Sequence, residues 1–342
     1  MAMTDSCERP AAQDVTHRVQ IQETGAMFVV QPGETVLEAG LRAGVAMAHE
    51  CQFGGCGTCR VRVIEGEVGY DDMPMALVEE EAAAGFALAC QARPHSDLVL
   101  STARNEPCAE PVWTQAEVQE VAALAGDVLH VRLAFAADIP AHRPGQYLKL
   151  RTPVGERSFS MASPPRGREV DLHVRCLPDG RFTSGVLRDW RPGTPVEVEL
   201  PHGDFYFRAR DDRPLIMAVT GTGLAPVKSI LEGLMDDDAC PPVWLYRGAR
   251  TESDLYLNEA VAGWGERLCE FTYVPVLSRA QEDWPGRRGH VQDAIVQDFP
   301  DLSEFAIYLC GSPDMIHDAR QRFLQHGAHP LYMYADAFTF QR

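Results

Sequence analysis

The sequence predicts a multidomain protein in which a small strand-and-helix domain precedes an antiparallel Greek-key β-barrel and an α/β doubly wound domain. Three observations predict this fold: a cysteine-rich loop early in the chain, short alternating strands in its middle, and apolar strands that alternate with helices near its end. With 342 residues the chain is also too long for one ordinary core. The predicted segments are a flexible tail 1–17, a first domain 18–104, a linker 105–111, a barrel 112–208 and a doubly wound domain 209–342.

The composition argues against two classes of partner. The hydrophobic fraction of 45% and the charged fraction of 23% are typical of a soluble globular protein. A net charge of −18 argues against nucleic acid or an anionic membrane as partner, and it favours a protein with a basic or locally basic surface. Acidity alone, however, more often serves solubility than recognition. The sequence lacks a run of about 18 apolar residues and a basic start followed by an apolar stretch, so the predicted location is the cytoplasm.

The first domain begins with a predicted hairpin and a short helix. Strand patterns at Val19–Ile21 and Phe28–Val30 are joined by turn residues. Thr35 and Glu38 form a capping-box pattern that starts the helix, and Gly44 suits its left-handed end. The later predicted elements are a strand, Arg60–Ile64, and a helix, Glu79–Ala84, that ends at Gly85.

Four cysteines lie at the spacing of a metal-cluster site. Cys51, Cys56 and Cys59 form a C-x4-C-x2-C array, and Cys90 follows 31 positions later, as in plant-type [2Fe-2S] sites. Glycines between these cysteines let backbone amides turn toward the cluster sulfurs. Zinc is the competing interpretation, but zinc sites usually show two C-x2-C pairs and this chain has one. The spacing therefore predicts a [2Fe-2S] cluster, and the remaining cysteines are interpreted as reduced thiols.

The two later domains differ in their apolar periodicity. Alternating runs separated by Pro and Gly turns predict the barrel strands Val128–Leu133, Tyr147–Leu150, Val170–Val174 and Val196–Leu200. Apolar strands followed by helices predict the doubly wound sheet. Its predicted elements are the strands Leu215–Val219, Val243–Tyr246 and Phe305–Leu309 and the helices Pro226–Met235 and Pro313–Leu324.

A glycine-rich turn links the first of these apolar strands to its helix. Gly221, Thr222 and Gly223 follow the strand directly and open the helix. Such a loop lets backbone amides approach a pyrophosphate at the positive end of a helix. A pair of glycines alone is more often an ordinary turn, but the strand–turn–helix context favours a nucleotide site.

The first domain resembles the plant-type ferredoxin domains that are fused to reductases. The resemblance lies in the segments 32–39, 51–59 and 87–91. It implies a β-grasp fold with the cluster near the surface. Residues 18–104 contain six Arg and Lys against twelve Asp and Glu, a formal charge of −6, which is compatible with a negatively charged docking face.

The barrel carries a segment that resembles the R-x-Y-S motif of the ferredoxin-NADP reductase superfamily. The resemblance implies that Arg157 neutralises a flavin phosphate, that Phe159 lies on the isoalloxazine ring and that Ser160 hydrogen-bonds N5, with Ser158 between them. Phe replaces the more common Tyr, which preserves stacking but removes a hydroxyl. Two further segments resemble the ribityl–adenosine strand and the pyrophosphate turn and favour FAD over FMN: His173, Val174 and Arg175, and Phe182, Thr183 and Ser184.

Two C-terminal segments resemble other parts of the same superfamily. Cys310, Gly311 and Ser312 resemble its C-G-P-P motif beside the nicotinamide ring, which would place Cys310 near the hydride path. A cysteine at the end of a buried strand is, however, often only a small apolar filler. Phe338 matches the terminal aromatic residue that covers the second flavin face, and core packing is an equal alternative.

The dinucleotide is predicted less directly. An acidic residue after the second strand of the parallel sheet would bind the ribose of NAD, whereas this segment contains Arg247 and Arg250, and an arginine can hold a 2′-phosphate. The family resemblance favours NADH, and NADPH stays an alternative.

From Val19 to Phe338 the chain resembles the single-chain reductases that serve bacterial ring-hydroxylating dioxygenases and related monooxygenases. The resemblance implies that electrons pass from NADH to FAD, to the [2Fe-2S] cluster and then to an oxygenase, with Ser160 and Cys310 closest to the hydride. Two alternatives stay open. In the first alternative, the electron acceptor is a separate ferredoxin or a deoxysugar dehydratase. In the second, the chain is a redox-responsive binding protein without turnover.

Overall fold

The computed structural model describes residues 15–49, 51–102, 109–177, 180–235 and 237–338. Most of the predicted tail and linker, together with Cys7 and Cys108, lies outside these ranges. The described residues form two compact units, built largely from the chain before and after residue 104. No helix within the described ranges is long and apolar enough to span a membrane.

The first unit contains a mixed five-stranded sheet in the order β2-β1-β7-β3-β5, in which β1 and β7 are parallel. The predicted tail 1–17 is one residue too long, because His17 already pairs with Val30 in the β1–β2 hairpin. The elements are β1 His17–Ile21, β2 Met27–Val30, α1 Val36–Arg42, β3 Arg60–Glu65, β4 Val68–Gly69, α2 Glu79–Ala83, β5 Phe86–Leu88, β6 Arg93–Pro94 and β7 Leu98–Ser101.

Helix α1 begins at the predicted capping box. The Thr35 hydroxyl accepts a hydrogen bond from the Glu38 amide at 3.2 Å, and the Glu38 carboxylate accepts one from the Thr35 amide at 2.8 Å. Two amides at the helix start are thereby satisfied, and the apolar face of Val36 and Leu37 is buried. The capped start and the buried face therefore fix the position of α1, the helix that precedes the cysteine-rich loop.

A buried ion pair joins β3 to α2. The Arg60 guanidinium lies 2.7 Å from the Glu81 carboxylate, and both side chains are almost fully buried. Arg60 also donates to the Ala76 carbonyl at 2.7 Å. Because Arg60 follows Cys59 directly, this pair fixes the backbone at one of the predicted cluster ligands.

The second unit starts with a six-stranded antiparallel sheet in the order β11-β10-β13-β8-β9-β12. Its core is apolar and includes Val118, Leu133 and Leu148, each fully buried. The strands are β8 Val112–Ala125, β9 Val128–Phe135, β10 Tyr147–Thr152, β11 Gly155–Ser160, β12 Glu169–Arg175 and β13 Pro195–His202.

A six-stranded parallel sheet in the order β17-β16-β15-β14-β18-β19 completes the second unit. The chain proceeds from β14 toward one edge and then returns to the other side of β14, so the strand order reverses between β14 and β18. The elements are β14 Leu215–Thr220, α3 Leu224–Leu234, β15 Val243–Ala249, α4 Asn258–Ala262, β16 Phe271–Leu277, β17 Arg287–Arg288, α5 Val291–Asp298, β18 Ala306–Gly311, α6 Pro313–Gln325 and β19 Met333–Ala337.

A buried arginine joins the segment after β13 to β19 of the parallel sheet. The Arg208 guanidinium lies between the rings of Tyr206 and Tyr334, at 4.2 and 4.1 Å from their centroids. It also donates hydrogen bonds to the carbonyls of Tyr206 and Asp204. This desolvated cation–π stack anchors β19, the strand that carries Asp336.

We expect Glu81→Gln to destabilise the first unit by about 3–5 kcal/mol, because it leaves the Arg60 charge buried and unpaired. Urea unfolding followed by circular dichroism measures the loss. Glu79→Gln, on the exposed first turn of the same helix, is the matched control. Equal stability of the two variants would show that the ion pair contributes nothing beyond an ordinary surface charge.

Candidate active site

The predicted cluster ligands occupy a loop whose sulfurs are mostly shielded from solvent. Cys56, Cys59 and Cys90 are buried and Cys51 is half-buried. The pKa of the Cys90 thiol is lowered by a hydrogen bond with Cys59 and by the amide of Gly54, while Cys51 lies close enough to oppose this shift. Cys59 and Cys90 are therefore in contact, and Cys51 lies near Cys90.

Glycine is required at position 54 of this loop. Gly54 has φ +79°, and a Cβ there would lie 2.7 Å from the Cβ of Pro74. The Gln91 side-chain amide donates to the carbonyls of Gln52 and Cys90, at 2.9 and 2.8 Å, and ties the loop to the fourth cysteine. The close backbone approach and the amide directed at sulfur suit a [2Fe-2S] cluster.

Strand β11 presents the predicted flavin residues at the edge of the antiparallel sheet. Phe159 pairs with Leu148 on β10, and its half-buried ring lies 5.5 Å from the ring of Phe182. Ser158 is exposed and Arg157 is half-buried, so both polar side chains are accessible. The structure thus brings together two aromatic residues that the sequence assigned to different parts of the flavin.

The predicted pyrophosphate turn is a π-helical turn, Arg181–Val186. Phe182 is buried against Trp190, with centroids 5.6 Å apart, whereas Ser184 is exposed and Thr183 is half-buried. The aromatic residue anchors the turn and leaves its hydroxyl groups accessible to a phosphate. In the neighbouring strand β12, the Val174 side chain lies in the core, so only its backbone is available to a cofactor.

An aspartate connects the two residues predicted to lie nearest the hydride. The Ser160 hydroxyl donates a long hydrogen bond of 3.4 Å to the Asp336 carboxylate. Asp336 lies opposite Cys310 in the β18–β19 pair. Burial, followed by the charge of Asp336, raises the pKa of the Cys310 thiol well above its usual value. Cys310 therefore carries a neutral, fully buried thiol and lies opposite the carboxylate-bearing residue to which Ser160 is hydrogen-bonded.

Two glycines allow the predicted nucleotide loops to touch. A Cβ at Gly223 would overlap the Cys310 carbonyl, and a Cβ at Gly311 would overlap the Thr220 hydroxyl. The Thr220 hydroxyl instead accepts a hydrogen bond from the Ser312 amide at 3.2 Å. The ends of β14 and β18 consequently meet without an intervening side chain, at the point where the strand order reverses.

A cleft of about 450 Å³ opens at this point. Six of the predicted site residues line it: Arg175, Gly221, Thr222, Gly311, Ser312 and Phe338. Gly223 and Cys310 do not line it. Phe338 is half-buried, packs on the core and also lines the cleft, so both roles weighed for it have a structural basis.

The wall of the cleft contains a buried tyrosine–histidine pair. Tyr256 lines the cleft, and its hydroxyl shares a 3.2 Å hydrogen bond with His173 Nδ1. Burial, with a smaller effect from the nearby Lys228 charge, lowers the pKa of His173 to about 3. His173 is therefore neutral at physiological pH, and its predicted cofactor role is limited to hydrogen bonding and packing.

The two arginines considered for a 2′-phosphate occupy different environments. Arg247 is 1% exposed, stacks on the Tyr256 ring at 4.6 Å and does not line the cleft. Arg250 is exposed and lines the cleft beside Asp254 and Ser278. Of these two arginines only Arg250 is accessible to a phosphate, and the exposed Asp254 also lines the cleft.

The chain matches three family models, which follow one another along the sequence. Residues 19–95 match the 2Fe-2S iron-sulfur cluster binding domain, residues 115–207 the oxidoreductase FAD-binding domain and residues 217–321 the oxidoreductase NAD-binding domain. A similar protein over nearly the full length is reductase component 2 of terephthalate 1,2-dioxygenase from Comamonas sp., which is 32% identical over 95% of this chain and 98% of its own. The chain belongs to this family of iron–sulfur flavoprotein reductases.

Other members of the family are similar over a comparable length. The CDP-6-deoxy-L-threo-D-glycero-4-hexulose-3-dehydrase reductase of Yersinia pestis is 31% identical over 94% of this reductase and 98% of its own chain. The crystal structure of the Amycolatopsis cytochrome P450 reductase GcoB is 35% identical and superposes with a TM-score of 0.69, covering 94% of this reductase and 98% of that chain. The reductase is an oxidoreductase that uses a [2Fe-2S] cluster, FAD and a nicotinamide dinucleotide.

Three residues at the site received no role from the sequence: Asp336, Tyr256 and Asp254. Asp336 and Cys310 lie opposite each other near the ends of adjacent parallel strands. Their positions near the ends of two predicted strands were the only sequence signal for this contact. The partner of Tyr256 lies 83 positions away, and no local pattern marks that pair.

We expect acid to destabilise the second unit through His173. The folded pKa of about 3 lies below the unfolded value of about 6.5, so the unfolded state binds the extra proton between these values and stability falls as pH falls through this window. The loss approaches about 1.4 kcal/mol per pH unit for this residue. His173→Gln should flatten the decline between pH 6 and pH 4.

Tryptophan fluorescence during urea unfolding reports this change, because all five tryptophans lie after residue 112. His290→Gln, which replaces an exposed histidine of the same unit, is the matched control. An identical pH slope in wild type and His173→Gln would assign the acid sensitivity to other groups.

Proposed function

We propose that the protein is an NADH-dependent reductase that moves electrons from NADH through FAD and its [2Fe-2S] cluster to the oxygenase component of an aromatic or related oxidation system. The observation that carries this proposal is the convergence of Ser160, Asp336 and Cys310 between the flavin strand and the parallel sheet. In the same chain, a four-cysteine loop provides a separate site for a one-electron centre. The relative that serves terephthalate 1,2-dioxygenase supports this acceptor class.

The groups supply complementary chemistry: FAD accepts a hydride and gives electrons singly, and a [2Fe-2S] cluster carries one electron. The residues of the chain hold and orient these groups. We assign Cys51, Cys56, Cys59 and Cys90 to the cluster, Arg157 and the 182–184 turn to the FAD phosphates, and Phe159 to the flavin ring. The cleft lined by Gly221, Thr222, Gly311 and Ser312 is assigned to the dinucleotide.

The environment of Ser160 suits a hydride site. Its hydroxyl donates a hydrogen bond to the Asp336 carboxylate, and the thiol of Cys310, the register partner of Asp336, stays neutral. The neutral His173 adds no charge to the wall. These features would orient the flavin and nicotinamide rings without making a covalent bond.

The finer fold assignments belong to the same proposal. We interpret the mixed sheet as a β-grasp fold, the antiparallel sheet as a Greek-key barrel and the parallel sheet as doubly wound. The observed strand orders support these interpretations. The cytoplasm, where NADH is available, is the proposed compartment.

A second acceptor class is supported by one of the relatives. The Yersinia pestis protein is the reductase of a dehydrase that acts on a CDP-deoxysugar, and it is similar over 94% of this chain. A deoxysugar dehydratase is therefore the alternative acceptor, because acceptors are recognised by surface patches that the fold leaves free to vary.

The function is tested by the absorption spectrum of the purified holoprotein before and after anaerobic addition of NADH. We expect flavin and cluster bands that both bleach, with two iron atoms and two sulfides per chain. Cluster absorption without flavin would favour the redox-responsive binding protein. Zinc in place of iron and sulfide would overturn the cluster assignment.

We expect Ser160→Ala to slow the bleaching of the flavin by NADH about tenfold, because it removes one hydrogen bond near N5 worth about 1.4 kcal/mol. Stopped-flow absorbance under anaerobic conditions measures the rate at equal FAD content. Thr272→Ala, at an exposed position of β16, is the control. A wild-type rate in Ser160→Ala would remove this hydroxyl from the hydride site.

We expect Arg250→Ala to lower kcat/KM for NADPH about tenfold and to change kcat/KM for NADH less than about threefold, because only NADPH carries the 2′-phosphate. Steady-state assays with both dinucleotides measure the split. Arg210→Ala replaces an exposed arginine that does not line the cleft. An equal loss of kcat/KM with both dinucleotides would show that Arg250 does not recognise the 2′-phosphate.

A further inference from the structure

Exposed large apolar side chains are concentrated in the first unit. Of the nine such residues in the described ranges, eight precede residue 103 and only Val112 follows it. Scattered single residues of this kind are normal at a protein surface, whereas a group of them marks an interaction site. The first unit, which contains the predicted ligands Cys51, Cys59 and Cys90, is therefore where a partner is expected.

Three of these residues border the cluster loop. Phe53 is 61% exposed, Met73 is 51% exposed and Met75 is 53% exposed. The segment that carries Met73 and Met75 contacts Gly54, the residue after Phe53. The Gly54 carbonyl accepts a hydrogen bond from the Ala76 amide at 2.9 Å, and buried Pro74 packs on Gly54. We call Phe53, Met73 and Met75 the loop patch.

The loop patch lies next to a predicted cluster ligand. The side-chain amide of Gln91, which follows Cys90 directly, donates hydrogen bonds to the carbonyls of Gln52 and Cys90 at 2.9 and 2.8 Å. Phe53 is therefore next in the chain to a residue that is tied to the fourth predicted ligand. Methionine and phenylalanine side chains adapt to a partner surface and displace water when they are covered. A protein that covers the loop patch therefore approaches the cluster closely and excludes water from the electron path.

The charges around the loop patch select the partner. Asp71 and Asp72 directly precede Met73, and both are exposed, with Asp71 also paired to Arg93 at 3.1 Å. Residues 18–104 carry a formal charge of −6. An apolar centre with an acidic border is complementary to an apolar surface bordered by Lys and Arg.

We propose that the loop patch is the surface on which a separate redox acceptor protein docks, and that this acceptor presents an apolar depression bordered by basic residues. The proposal rests on the proposed reductase function, because it names the exit surface of the same electron path. Phe53, Met73 and Met75 supply the contact area, and Asp72 orients the approach through its charge.

The test uses cytochrome c, a basic haem protein with an exposed haem edge, as the acceptor. The holoprotein is reduced with dithionite, freed of excess dithionite under anaerobic conditions and mixed with oxidised cytochrome c at low salt, so that only the second-order electron exit is measured. We expect the combined Phe53→Ser, Met73→Ser and Met75→Ser variant to react at least about tenfold more slowly, because apolar anchors dominate docking energies. Asp72→Lys should slow the reaction and weaken its dependence on salt.

The control replaces two other exposed apolar residues on the same unit, Met27 at 71% and Val29 at 41% exposure. Met27 and Val29 lie on β2, at the opposite edge of the sheet from β5, which leads to Cys90. Met27→Ser combined with Val29→Ser should react within about twofold of wild type. An unchanged cluster absorption spectrum in every variant shows that the loop has kept its fold.

A wild-type rate for the loop-patch variant, or an equal loss in the β2 control, would overturn the proposal. So would a variant in which NADH-driven cluster bleaching slows while electron exit to cytochrome c does not, because the patch would then serve the flavin-binding part of the same chain. A dimer that the loop-patch variant loses in sedimentation would assign the patch to a second copy. Failure of NADH to bleach the wild-type cluster, with normal exit after dithionite, would refute the reductase function alone.

Discussion

The contact between the ends of β14 and β18 is the constraint on which the candidate site depends. Gly223 lies against the Cys310 carbonyl and Gly311 against the Thr220 hydroxyl, with no room for a Cβ at either glycine. Because these strands flank the point where the strand order reverses, their loops form the floor of the cleft. A larger residue at either glycine would separate the loops and displace Cys310 from the region that Ser160 and Asp336 approach.

Two of the buried groups around this contact are uncharged, and charged side chains line the cleft. Cys310 and His173 are held neutral by burial, while Arg175 pairs with Asp127 at 2.8 Å on the cleft wall and Arg250 is exposed. Such an arrangement lets a charged dinucleotide meet its counter-charges at the entrance. The reacting rings would then lie against groups that titrate only far from neutral pH.

The first unit is organised differently, around a loop rather than a cleft. A capped helix, the buried Arg60–Glu81 pair and the Gln91 amide fix the backbone on three sides of the cysteines. This support is internal to the unit, so the outer surface of the loop is free to carry Phe53, Met73 and Met75. A rigid loop suits cysteines that bind a metal cluster, and an adaptable apolar border suits contact with a partner protein.

The sequence by itself determined the domain order, the cysteine spacing, the glycine turn after β14 and the capping box of α1, because each is written in residues that are close along the chain. The tertiary structure alone decided which distant residues meet. Ser160 and Asp336 are 176 positions apart, and Arg247 is buried on Tyr256 whereas Arg250 reaches the cleft. Local patterns specify backbone conformation and ligand spacing, but the burial and neighbours of a side chain depend on how whole sheets pack, and one sequence window does not contain that information.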